Sequence, residues 1–66
     1  MEIMLNGVVK EVPIHFSIKD LLVEIGVSAE RIAIELNKEV VPKSEYACRQ
    51  LHAADQIEVI QAVGGG

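Results

Sequence analysis

The plainest chemistry in this 66-residue chain lies in its last four residues, Val63-Gly64-Gly65-Gly66. Three successive glycines bury no side chain, and glycine loses more backbone entropy on ordering than any other residue. They therefore have no packing purpose, yet they make a flexible stretch slim enough to thread a channel. The reactive group they carry is the carboxylate of Gly66. It is sterically open but a poor electrophile, so its activation must come from outside this chain. A glycine-rich end is also how an ordinary frayed terminus looks, and the residues before it must decide between the two.

The other reactive side chains offer less. Cys48 is the single cysteine, which excludes an internal disulfide and suits a reducing cytosol. It reads as a small, semi-buried thiol rather than a persulfide carrier. His15 and His52 are far apart and lack metal-ligand spacing. No Ser/His/Asp or paired-carboxylate arrangement is present. The expectation is a chain with no catalytic residues of its own, no metal and no bound cofactor.

Composition narrows the partners. The net charge is -4 and lysine and arginine form no cluster. That argues against nucleic acid, whose affinity comes largely from cationic contacts to phosphate, and suits a basic docking patch on another protein. No apolar run approaches the roughly 20 residues that cross a bilayer. Met1 to Leu5 lacks the basic start of a leader peptide. A cytoplasmic protein without membrane contacts is expected.

One small domain must hold the glycines. Its apolar content is 50%, but Phe16 and Tyr46 are its only aromatic residues, so the core is aliphatic. At this size only about 60% of the unfolded surface is buried, and stability is modest. Glu2 to Leu5 reads as a strand, Asn6-Gly7 as a type I′ turn and Val8 to Val12 as the returning strand. Ser17 with Asp20 forms a capping-box pattern. Ile18, Leu21, Leu22 and Ile25 then make one face of a helix that Gly26 closes.

Residues 31–36 alternate as a strand, with Ile32, Ile34 and Leu36 on one side and Ala33 and Glu35 on the other. Asn37-Lys38 turns into a short strand at Val40-Val41 that Pro42 ends. Lys43 to Ala54 shows no clean period. It reads as a loop with a helical turn near Tyr46, anchored by Leu51. Ile57 to Val63 is the last strand. One helix with one apolar stripe needs one sheet face to cover, which makes a two-layer α+β domain.

This element order, ending in glycines, resembles the β-grasp or ubiquitin-like fold: a mixed sheet of four or five strands with one main helix on one face. The domain would span residues 1–63, with 64–66 as a flexible tail. Local sequence extends the match. Ile3-Met4-Leu5-Asn6-Gly7, Ile34-Glu35-Leu36-Asn37, Val41-Pro42, Asp55-Gln56-Ile57-Glu58-Val59-Ile60 and Val63-Gly64-Gly65-Gly66 are similar to the ThiS family of thiamine-biosynthesis sulfur carriers. One departure is Ala54, where the family often has glycine. If that turn needs positive φ, Ala54 is mildly strained.

The resemblance implies a cosubstrate rather than an enzyme. An E1-like adenylyltransferase of the ThiF type would spend ATP to adenylate the Gly66 carboxylate. Sulfur from a cysteine desulfurase would convert it to a thiocarboxylate, and thiazole synthase would take that sulfur into the thiazole ring of thiamine. Three other functions compete: the small subunit of molybdopterin synthase, a protein modifier that forms isopeptide bonds, and an inert β-grasp interaction module.

Strand parity supplies a docking surface beside the tail. If Ile57 and Val59 face the helix, then Glu58, Ile60 and Ala62 face away, and Met4 joins them from the neighbouring strand. An apolar spot of Met4, Ile60 and Ala62 is the expected contact, with Asp55 and Glu58 pairing with basic partner residues.

Overall fold

The computed structural model describes residues 1–61 of the chain. The expected tail over 64–66, with Ala62 and Val63, lies outside the described residues.

The helix α1 spans Ile18–Ile25. Its start is the capping box read from the sequence: Ser17 Oγ accepts from the Asp20 N–H and Asp20 Oδ2 accepts from the Ser17 N–H, both at 3.0 Å. These bonds satisfy donors that a helix start otherwise leaves unpaired. At the other end Gly26 takes the left-handed conformation, φ 76°, and its N–H donates to the Leu22 and Val23 carbonyls. A side chain there would be strained, which is why glycine closes this helix.

Five strands form one sheet: β1 (Glu2–Leu5), β2 (Val8–Glu11), β3 (Ile32–Leu36), β4 (Glu39–Val41) and β5 (Gln56–Gln61). Their spatial order is β2-β1-β5-β3-β4. The last strand is central, parallel to β1 and antiparallel to β3. This is the β-grasp arrangement. β2 ends one residue earlier than expected. Of two short 3-10 turns, Lys43–Glu45 is the helical turn expected near Tyr46, and Ala29–Arg31 takes in Arg31, expected as the first residue of a strand.

Alternation along the strands sends one set of side chains under α1. Ile3, Ile34 and Ile57 are buried against Ile18, Leu21 and Leu22. At about 25 cal/mol per Å² of apolar surface removed from water, this aliphatic layer is the main force holding helix to sheet. Leu5, Ile25 and Val59 are half-buried and pack at the margin of the same layer. Leu51 anchors the long loop, as expected, and Tyr46 joins the core beside it. Burial pushes the Tyr46 phenol above its ordinary value, and a hydrogen bond with the Ile34 backbone works the other way. Cys48 departs from expectation: it is exposed, not semi-buried, and its thiol donates to the Glu45 carbonyl at 3.5 Å in the turn while Tyr46 and Leu51 fill the core.

Candidate functional site: the open face of the sheet

Only one face of the sheet is covered by α1, and the central strand carries the other face toward the glycines. Ile60 lies on that open face with 45% of its surface exposed, so the expected strand parity holds. Glu58 is exposed on the same face. Across β3, Glu58 stands opposite Glu35 and Ile60 opposite Ala33. Val40 of β4 stands next to Glu35 and is 71% exposed. The centre of the face is thus two glutamates side by side, with aliphatic side chains on either flank.

Like charges directly opposite in a sheet are destabilising. Neither Glu35 nor Glu58 has an ion-pair partner among the described residues. The pair therefore presents uncompensated negative charge to whatever covers this face. Glu35 was not among the expected site residues. Its alternation placed it on the open face, but only the β3–β5 register sets it against Glu58.

The expected apolar spot of Met4 with Ile60 does not form as one patch. Met4 pairs with Gln56, four residues before Ile60 on β5, which is about 13 Å at 3.3 Å per residue. Met4 instead lies beside Val9, its partner on β2, and with Ala53 and Ala54 it lines a groove of about 670 Å³. The cause is the length of β1: it turns away at Asn6 and never draws level with Ile60. Ala62 lies outside the described residues.

Asp55 immediately precedes β5, at the opposite end of that strand from Gln61. Its Oδ1 accepts from Asn37 Nδ2 at 3.1 Å and its Oδ2 accepts from the His52 N–H at 2.7 Å. Both carboxylate oxygens are thus engaged inside the chain, closing the turn before β5. Within that turn Ala54 has φ 69°, so the position does need the left-handed conformation and alanine is strained there.

Two turn asparagines take part in ways their local sequence did not announce. Asn6 Oδ1 accepts from the Val59 N–H at 2.8 Å, and Asn6 Nδ2 donates to the Val59 carbonyl at 3.5 Å. Asn37 Oδ1 accepts from the Gln56 N–H at 2.9 Å. Both residues were legible as turn formers, but nothing in a short window points from position 6 to position 59.

The described residues contain no group of histidine, cysteine and acidic side chains that could hold a metal. Among them no helix is long and apolar enough to cross a membrane.

The model of the ThiS family matches residues 3–66. A crystal structure of a thiamine biosynthesis protein (ThiS) from Geobacter metallireducens is 28% identical, covers all of both chains and superposes with a TM-score of 0.87. Among curated relatives, a thiazole synthase of Paramagnetospirillum magneticum is 35% identical over all 66 residues, and the chain spans 20% of that protein's length. The protein ycf40 of Pyropia yezoensis, described as uncharacterized, is 33% identical, with 93% of its length covered.

Proposed function

This chain belongs to the ThiS family, and on that premise we propose that it is a sulfur carrier of thiamine biosynthesis whose working group is the Gly66 carboxylate. The observation that carries the proposal is the reach of the family match, from Ile3 through Gly66. It takes in the central strand and the glycines together, as one unit.

The chemistry accounts for a site with no catalytic side chains. An E1-like adenylyltransferase of the ThiF type binds the chain, and a carboxylate oxygen of Gly66 attacks the α-phosphorus of ATP, expelling pyrophosphate. The acyl-adenylate has AMP as its leaving group, which overcomes the inertness of the free carboxylate. A persulfide sulfur supplied through a cysteine desulfurase attacks the carbonyl carbon and displaces AMP. A second thiol then cleaves the resulting acyl disulfide, is itself oxidised to a disulfide, and leaves the thiocarboxylate. That soft nucleophile attacks the thiazole precursor on thiazole synthase. The similarity of this chain to one fifth of longer thiazole synthases favours that enzyme as the acceptor.

Ile60, with Glu58 and Glu35 beside it, is the docking surface in this scheme, and it calls for a partner with an apolar contact framed by basic residues. Ile60→Asp is expected to fold normally but to weaken binding by about 2 kcal/mol, the worth of a desolvated apolar anchor. Unchanged affinity in the folded variant would remove Ile60 from the interface.

The decisive experiment is ATP–pyrophosphate exchange with the purified adenylyltransferase, comparing the full chain with one lacking Gly66. Deletion withdraws the carboxylate by about 3.3–3.6 Å, more than an attack geometry of roughly 3–3.5 Å tolerates. Exchange should vanish while circular dichroism is unchanged. Full activity without Gly66 would overturn the mechanism, and a molybdenum-enzyme defect with intact thiamine synthesis in a deletion strain would favour the molybdopterin synthase subunit instead.

A further inference from the structure

The main-chain ladder between β1 and β5 is short. It pairs Met4 with Gln56 and Leu5 with Ile57, and the Asn6 N–H adds a bond to the Ile57 carbonyl at 2.9 Å. The chain then leaves through the Asn6-Gly7 turn. At that point the Asn6 carboxamide takes over from the backbone. It offers one acceptor and one donor in a plane, as a peptide unit does, to the N–H and carbonyl of Val59. On this flank β1 extends no further, and β3 alone runs beside Ile60 and Gln61.

We propose that Asn6 is a positioning residue for the C-terminal glycines, holding β5 at Val59, two residues before the strand ends at Gln61, so that the chain beyond it leaves in one direction. The role rests on the assignment of Gly66 as the activated group. From Val59 to Gly66 the chain can reach at most about 23–25 Å. A small angular freedom at its root therefore becomes a large displacement at its end. Bond formation needs the reacting atoms about 3–3.5 Å apart, and a misplacement of 1 Å costs up to about a hundredfold in rate. Asn37 supplies a control within the same molecule. It makes the same kind of bond to β5, but at Gln56, the end of the strand remote from the glycines.

Asn6→Gly and Asn37→Gly each remove a carboxamide while keeping a residue that accepts the positive φ of the turn, 50° and 51° respectively. Asn6→Asp keeps the oxygen that accepts from Val59. Full-length chains carrying these changes are compared in two measurements: amide hydrogen exchange of the free chain, and ATP–pyrophosphate exchange with kcat and KM separated.

Asn6→Gly should speed exchange at the Val59 amide by about tenfold, as expected for one lost hydrogen bond that gates local opening. It should lower kcat by about ten- to a hundredfold with KM nearly unchanged, because Glu35, Glu58 and Ile60 are untouched. Asn6→Asp should recover most of the rate. Asn37→Gly should free the Gln56 amide and leave kcat close to that of the native chain. An Asn6→Gly chain with native kcat, or an Asn37→Gly chain that loses as much, would overturn the positioning role while leaving Gly66 as the reacting group. No exchange with the native chain would overturn the assignment of Gly66, and this role with it.

Discussion

Asn6-Gly7 and Asn37-Lys38 each close a two-residue hairpin, and each pair lies at positive φ: 50° and 82° in the first, 51° and 72° in the second. Both asparagines also reach the central strand, from opposite flanks. At Gln56 the hold is part of a closed network, since Asn37 also donates to Asp55, whose second oxygen holds the His52 amide. At Val59 the Asn6 carboxamide continues a ladder that the backbone has abandoned. One turn locks the entrance of β5, and the other aligns its exit. The same local chemistry therefore serves a structural purpose at one end and a directional one at the other, and the partner across the sheet makes the difference.

The second residue of each turn differs in a more local way. Gly7 meets no steric objection to its left-handed conformation, whereas Lys38 carries a Cβ into it at roughly 1–2 kcal/mol. Each asparagine makes two carboxamide bonds and donates its backbone N–H to β5, so hydrogen bonding does not offset the cost at Lys38.

The change expected to abolish the comparison altogether is Leu21→Ala, since both turns hang from a sheet held by α1. Leu21 is fully buried, and the cavity should cost about 2–5 kcal/mol, readable as a lower urea midpoint and enough to unfold so small a domain. A next smaller effect separates bonding from strain. Asn37→Ala should lose about 2 kcal/mol, combining lost hydrogen bonds with a Cβ poorly suited to φ 51°. Asn37→Gly should lose about 1 kcal/mol less than Asn37→Ala. Equal losses in urea unfolding would mean that the left-handed backbone carries no cost in this turn.

Exchanging the second positions sharpens the contrast further. Lys38→Gly should stabilise by about 0.5–1 kcal/mol, and Gly7→Ala should destabilise by a similar amount. Thermal melts of the two variants should therefore shift in opposite directions, and a shared direction would contradict the strain account. The smallest effect is expected at Ala54, the left-handed residue in the turn that Asp55 closes. Ala54→Gly should raise stability by about 0.5 kcal/mol, the relief of strain less the added entropy of glycine. A fall in the melting temperature would show that the methyl group contributes packing that outweighs the strain.

Much of the fold was legible because its signals are local. Ser17, Asp20 and Gly26 bracket an apolar stripe of helical period, and both helix ends formed as those residues require. Asn-Gly between alternating segments produced its hairpin in the expected register. The one departure from the family pattern, Ala54, pointed to a turn that does need positive φ. Cys48 and Tyr46 were harder to place. They sit in a stretch without periodicity, where burial depends on which way a short 3-10 turn faces the core.

By itself the sequence determined the elements and the face of each strand that goes inward. These follow from periods of two and 3.6 residues and from the backbone preferences of individual residues, which act over a few positions. Only the tertiary structure decided which residues of different strands stand level with one another. It separated Met4 from Ile60, set Glu35 against Glu58, engaged Asp55 internally and brought Asn6 to Val59 across 53 positions. Register is a property of pairs of strands, settled by the common core they bury and by where each turn ends its strand, and no single stretch of chain contains it.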